Sequence, residues 1–184
     1  MSEPVTNFDG PRGLRVGQGY DIHRLVPDRR LILGGIELPW DLGLEGHSDG
    51  DAVCHALADA ILGAAGMGDI GSHFPSEDER WKDASSILLL EGLAGMVDAA
   101  GLQVHNADVT VILEVPRLGP YRDAMRARVA AALGIEPGQV SIKGKTNDHL
   151  GPVGQGEAIA ALAVVLVGAK PDDPGAAASG AAPR

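Results

Sequence analysis

Hydrophobic and polar positions fall into blocks that lay out a series of short elements between Leu14 and Val167. LRVG starts a short strand, and RLILGGIELPW reads as two short strands around Gly34-Gly35, a hairpin pattern. A helix made mostly of Ala, Leu and Ile is predicted from about Asp49 to Ala65. Ser48 stands as its N-cap, with Asp51 three residues on completing a capping-box-like start. A second helix spans about Ser85 to Ala100 and stops at Gly101. VHNADVTVILEV alternates as a strand does, RDAMRARVAAAL is an amphipathic helix ended by Gly134, and VSIK is a short strand. The last apolar run, AIAALAVVLVG, suits a strand or a buried helix; its Val-rich end and short length favour the strand. Strands interleaved with three helices predict one α/β domain of the α+β type, a small mixed sheet with helices packed on it.

Outside that unit the pattern fades. Residues 1–13 are polar with Pro and Gly, and the stretch after Val167 is rich in Ala, Gly and Pro. The expected folded unit is therefore 14–167, with 1–13 and 168–184 as flexible termini. Hydrophobic residues make up 45 % of the chain and aromatics only 3 %, so the core must be aliphatic and aromatic stacking is a poor binding device. Fifteen Lys+Arg against twenty-five Asp+Glu leave a formal charge of -10, which argues against nucleic acid as a partner. An acidic chain that binds a small phosphate compound must neutralise it locally, with metal ions or helix N-termini. A single cysteine, Cys54, excludes an intramolecular disulfide framework and suits a reducing compartment. No apolar run approaches the ~20 residues of a membrane span, and the first residues lack the plan of a signal peptide, so a cytoplasmic, membrane-free protein is expected.

Chemistry concentrates in a few segments. GYDIH puts Asp21 and His23 two apart, so in an extended segment both face the same side. His55 lies one turn into the predicted helix, where Asp51, His55 and Asp59 form a polar stripe at i, i+4 and i+8. Burying such a stripe without partners costs about 1–3 kcal/mol per unsatisfied group. Metal binding by His55, with Asp59 orienting its second nitrogen, removes that cost. Asp21, His23 and His55 are a normal catalytic zinc set with an open fourth position. Iron oxygenases use the same donors, but no aromatic-lined barrel pattern accompanies them here. The alternative for His55 is a satisfied core pair with its i+4 carboxylate.

Three further segments could face a phosphate. His47 and Ser48 stand at the N-terminus of the His55 helix, where capping alone explains Ser48 but not His47. GMGDIGSHFP offers backbone approach and the Asp69 carboxylate. KGKTNDHLGPVGQGEA carries Lys143, Lys145, Thr146 and Asp148, either a phosphate clamp with a carboxylate for a second metal or an ordinary turn after a strand.

Taken in order, RVGQGYDIH, LILGGIELP, GHSDGDAVCHALADAILGAAGMGDIGSHFP, PRLGP and IKGKTNDHLGPVGQGEA resemble the 2-C-methyl-D-erythritol 2,4-cyclodiphosphate synthases of the non-mevalonate isoprenoid pathway. The resemblance covers about Arg15 to Val167. It implies a homotrimer with active sites between neighbouring subunits, acting as a phosphorus-oxygen lyase. The implied substrate is 4-diphosphocytidyl-2-C-methyl-D-erythritol 2-phosphate, whose 2-phosphate attacks the β-phosphorus and expels CMP. It implies one zinc ion per subunit on Asp21, His23 and His55, and magnesium or manganese on Asp148 with the substrate. It matches His47 and Ser48 to residues near the substrate phosphates, and Asp69 and Gly71 to the loop holding the methylerythritol unit. Leu113, Arg117, Leu118, Gly144, Lys145 and Thr146 match the cytidine-diphosphate pocket.

Some positions depart from the usual form. The loop Lys145-Thr146-Asn147-Asp148 stands where the family has Thr-Thr-Thr-Glu, and Gln155 and Pro152 replace an Arg and a Phe near the trimer axis. Without that Arg, an isoprenoid diphosphate in the central channel is expected to bind weakly or not at all. Two rival readings use the same residues: a zinc phosphohydrolase of a nucleotide diphosphate, and a non-catalytic nucleotide- or isoprenoid-binding trimer.

Overall fold

A computed structural model describes residues 13–170. The chain begins with β1 (Arg15–Pro27), far longer than the short strand expected at LRVG and running straight through Asp21 and His23. The hairpin β2 (Leu31–Leu33) and β3 (Ile36–Leu38) turns at Gly34 and Gly35, with φ of 56° and 72°. Two consecutive positive φ values are the tight hairpin geometry that glycine adopts without steric cost. After β4 (Leu42–Leu44) comes α1 (Ala52–Ala65), then a single helical turn, α2 (Ile70–His73), and α3 (Ser86–Ala99). Strand β5 (Leu102–Ile112) leads to α4 (Arg122–Leu133), which ends at Gly134 as expected. The chain closes with β6 (Val140–Lys145), the short turn α5 (Gly151–Gly154) and β7 (Ala158–Ala169). The ambiguous final run is thus a strand, and the three expected helices are joined by two single turns.

The five-stranded sheet has the order β4-β1-β7-β5-β6, with β5 and β6 parallel and the other neighbours antiparallel. That is the mixed sheet the pattern predicted. Its last strand runs past the expected limit of 167, because Ala169 pairs with Leu102 and Lys170 donates its N–H to the Gly101 carbonyl. The remaining expected flexible residues, 1–12 and 171–184, lie outside the described residues.

The long helices α1, α3 and α4 share one face, while Val153 of the short α5 packs on Ala158 and Ala160 at the end of the other. On the face of the long helices Ile159, Ala161, Ala163, Val165 and Val167 of β7 are buried beside Val109 and Val111 of β5. Gly17 and Gly19 let α1 settle on β1: a Cβ on either would lie 1.8 and 1.9 Å from the carbonyl oxygens of Ala60 and Ala56. The rest of the opposite face is open, with Val16 70 %, Tyr20 52 %, Ile22 43 % and Val164 44 % exposed near β1 and the Asp108–Lys143 ion pair toward β6. Among the described residues no helix is long and apolar enough to cross a membrane.

The helix start corrects one expectation. Ser48 is not the N-cap of α1; Asp51 is, accepting from the Val53 and Cys54 N–H groups at 3.0 and 3.1 Å. The same fully buried carboxylate accepts the Gly34 and Gly35 N–H groups at 2.9 and 2.7 Å, tying the hairpin to the helix. A carboxylate, unlike a hydroxyl, has enough lone pairs to satisfy all four donors at once. Asp51→Ala leaves them buried without a partner, so an expected loss of about 3 kcal/mol follows. Urea denaturation checks this; a loss under about 1 kcal/mol would remove the tie from the account of stability.

Candidate metal centre and nucleotide cavity

The approach of α1 to β1 brings His55 over the strand. Asp21 and His23 stand on the helix-facing side of β1, and His55 is held one turn in, its N–H donating to the Asp51 carbonyl at 3.0 Å. His23 Nε2 lies 2.8 Å and His55 Nδ1 3.1 Å from Asp21 Oδ2, and the two nitrogens are 3.1 Å apart. One donor atom from each residue falls within 4.8 Å of the others, a group able to hold a metal ion. Each imidazole is fixed from behind: His23 Nδ1 lies 2.5 Å from the Glu45 carbonyl, and His55 Nε2 2.9 Å from Ser86 Oγ and 3.0 Å from Ser48 Oγ.

The electrostatics suit a cation. Burial opposes the charge on Asp21, but hydrogen bonds and charge from His23 and His55 outweigh it and hold the carboxyl well below its ordinary range. Burial likewise opposes a charged His23, yet the Asp21 carboxylate wins and raises its pKa. Two imidazoles and a carboxylate drawn together in this way fit the donor set of a divalent transition metal, with room for a further ligand.

Beside the group lies a cavity of about 250 Å³, lined by His23, His47, Ser48, His55, Gly71 and Trp81 among others. Of the remaining expected residues, Asp69 caps α2 by accepting the Ser72 N–H and does not line the cavity. Asp59 corrects an expectation: its carboxylate accepts the Ile70 N–H at 2.8 Å, steadying the α2 turn, and Ser86 and Ser48 take the place behind His55 expected for it. The free N–H at the start of that turn is a ready donor, and Asp59 answers it.

A second cavity, of about 540 Å³, opens at the C-terminal ends of the parallel strands β5 and β6. All six residues expected in a nucleotide pocket line it: Leu113, Arg117, Leu118, Gly144, Lys145 and Thr146. The join is direct, since the Leu113 N–H donates to the Lys145 carbonyl at 2.9 Å. Arg122, from the first turn of α4, adds a third cation. None of Arg117, Arg122 and Lys145 has an ion-pair partner among the described residues. Asp148 lies on the following loop, outside the lining, and accepts from Thr146 Oγ1 at 3.4 Å. Glu114 pins that loop by accepting the Asn147 and His149 N–H groups at 2.9 and 3.3 Å.

The model of one protein family, described as the YgbB family, matches residues 14–168. The chain belongs to the YgbB family. A curated relative, 2-C-methyl-D-erythritol 2,4-cyclodiphosphate synthase of Synechococcus sp. (strain JA-2-3B'a(2-13)), is 56 % identical over 84 % of this chain and 98 % of its own length. The solved IspF of Plasmodium falciparum in complex with CDP aligns with a TM-score of 0.77 at 33 % identity, covering 88 % of this chain and 100 % of that one. The bifunctional IspDF of Campylobacter jejuni aligns with a TM-score of 0.82 at 36 % identity over 85 % of this chain, which spans 42 % of that longer one.

For this YgbB member, sequence reasoning missed Ser86, Asp49, Trp81, Glu114 and Arg122. Ser86 and Asp49 look like ordinary cap residues, and their partnership joins positions 37 apart. Arg122 had one legible signal, its place just after the PRLGP segment that the resemblance assigned to the nucleotide.

Proposed function

We propose that the chain converts 4-diphosphocytidyl-2-C-methyl-D-erythritol 2-phosphate into 2-C-methyl-D-erythritol 2,4-cyclodiphosphate and CMP, as a zinc-dependent homotrimer of the cytoplasm. The observation that carries this reading is the convergence of Asp21, His23 and His55 beside a cavity, in a chain of this family. An oxygen of the 2-phosphate forms a bond to the β-phosphorus, the bond from the β-phosphorus to the bridging oxygen breaks, and CMP leaves with that oxygen and its electron pair. The reaction is formally that of a phosphorus-oxygen lyase and consumes no water. Because the nucleophile is already an anion, the chain has to position and neutralise more than deprotonate.

Asp21, His23 and His55 would hold a zinc ion, which would supply a Lewis acid for phosphate oxygen. His47 and Ser48 border the same cavity and orient the phosphates, while Gly71 lets the backbone come close to the methylerythritol unit and Asp69 steadies its turn. Arg117, Arg122 and Lys145 offset the charge of the CDP group, and Leu113, Leu118 and Gly144 wall its base. Asp148 would hold a magnesium ion, which would supply charge neutralisation for the nucleotide phosphates; a carboxylate in this loop is the hard oxygen donor such a cation takes.

Two features favour the trimer. The open sheet face presents Val16, Tyr20, Ile22 and Val164 to solvent, which association would cover. The two cavities lie at one level of the sheet, since Asp21 pairs with Ala161, Ala161 with Val111 and Val111 with Gly144. That row spans about 14 Å at three strand spacings. Ala161 and Val111 between them are fully buried, so a substrate reaches the metal of one subunit and the nucleotide cavity of the next more directly than across one core.

The test is CMP release from the diphosphocytidyl substrate before and after chelation. Cyclic diphosphate and CMP, lost on chelation and recovered only when zinc and magnesium are both restored, is the expected result. A linear phosphate as product, or release that survives chelation, would sink the reading.

A further inference from the structure

Behind His55, on the side away from the metal group, stand two polar side chains that the proposed reaction does not use. Ser86 is 1 % exposed, and its Oγ lies 2.9 Å from His55 Nε2 and 2.5 Å from Asp49 Oδ1. Asp49 grips the same residue a second time, its Oδ2 accepting the Ser86 N–H at 2.9 Å. The Asp51 N–H reaches Asp49 Oδ1 at 3.2 Å. Ser48 Oγ completes the surroundings, 3.0 Å from His55 Nε2 and 3.3 Å from Ser86 Oγ, and accepts the Gly50 N–H at 3.3 Å.

We infer that Asp49, acting through Ser86, is a positioning residue that keeps the proton of His55 on Nε2 and so presents Nδ1 as a bare lone pair to the metal. The inference rests on the proposed metal site and follows from counting protons. A carboxylate only accepts, and the one hydroxyl proton of Ser86 is committed to Asp49. Ser86 Oγ then has only lone pairs left for His55, and with the Ser48 hydroxyl turned onto Ser86 Oγ at 3.3 Å neither serine donates to the ring, so Nε2 is the nitrogen that donates. Asp21 asks for a proton at Nδ1 from the other side, and a cation in the group cancels that demand. Asp49 is thus needed to decide between two tautomers, only one of which can ligate from Nδ1.

Asparagine at position 49 keeps the shape but offers one acceptor oxygen to three donors. With that oxygen on the Ser86 N–H, its amide donates to Ser86 Oγ, and the hydroxyl turns to donate to His55 Nε2. The proton then sits on Nδ1, where the metal should be.

The experiment uses the full-length chain labelled with ¹⁵N-histidine and loaded with zinc alone. In the wild type, His55 Nε2 is expected to carry a directly bonded proton, with Nδ1 shifted by the metal. Asp49→Asn should lower zinc affinity about 10–100-fold in chelator competition, with unchanged far-UV circular dichroism. Ser86→Thr, which keeps the hydroxyl, should retain more of the affinity than Ser86→Ala. Zinc bound through Nε2 in the wild type, or an affinity indifferent to Asp49→Asn, overturns the role of Asp49 while leaving the metal site standing. A wild type that takes up no zinc overturns the metal site and this inference with it. The wild-type spectrum decides even if all three variants fail to fold.

Discussion

With zinc on the proposed site, His55→Ala is expected to lose the metal and CMP release together, with activity down by at least about a thousand-fold. The magnitude follows from what the three donors do. A metal polarising a phosphate oxygen is worth several kcal/mol of transition-state stabilisation, and ~4 kcal/mol corresponds to that factor. Alanine removes the Nδ1 donor that lies 3.1 Å from both Asp21 and His23 Nε2, leaving two ligands on one strand. Two ligands do not make a catalytic zinc site. The fold should survive, since His55 is only partly buried and Asp51 still caps its helix. Metal analysis of the purified variant, run beside the CMP assay, checks both halves of the claim. Zinc-free protein with full activity would show that the ligands lie elsewhere.

The second large effect is on stability. Gly19→Val should cost more than about 4 kcal/mol and leave little folded protein at ordinary growth temperatures. A Cβ at that position lies 1.9 Å from the Ala56 carbonyl oxygen and 2.8 Å from the Ala60 nitrogen. Both are backbone atoms of α1, so no side chain can swing aside, and the helix itself must lift from β1. Lifting it uncovers Ala56, Ala60 and Ile61, and carries His55 away from Asp21. The control is Gly63→Ala, on the same helix with nothing within 4 Å, which should be neutral or stabilise by up to about 1 kcal/mol. Comparison of melting temperatures separates them, and equal values for the two variants would remove close packing as the reason for Gly19.

The metal group was legible in the sequence because its logic is local. Asp21 and His23 share a strand face, and His55 interrupts an otherwise apolar helix. The length of β1 was hidden for a physical reason. Its inward positions are Gly17, Gly19, Asp21 and His23, while Val16, Tyr20 and Ile22 point out. Close helix packing and a metal group occupy the side where hydrophobic residues normally stand, so the usual alternation is reversed. Asp59 misled because i+4 spacing makes two side chains neighbours without deciding which donor each one answers. The nearby Ile70 N–H, eleven residues on, decided it. The second cavity needed the resemblance, because nothing local says that β5 and β6 run side by side in parallel.

The sheet order bears on how the chain is made. β7, the last strand, sits in the middle of the sheet, paired along one edge with β1 and along the other with β5. Arg15 meets its partner Val167 only after every residue between them has been added. At ~5–20 residues per second on a ribosome, β1 therefore waits several seconds with its hydrogen-bonding edge unmatched. Until translation reaches β7, the sheet exists only as two separate pairs, β1 with β4 and β5 with β6, with no strand to join them.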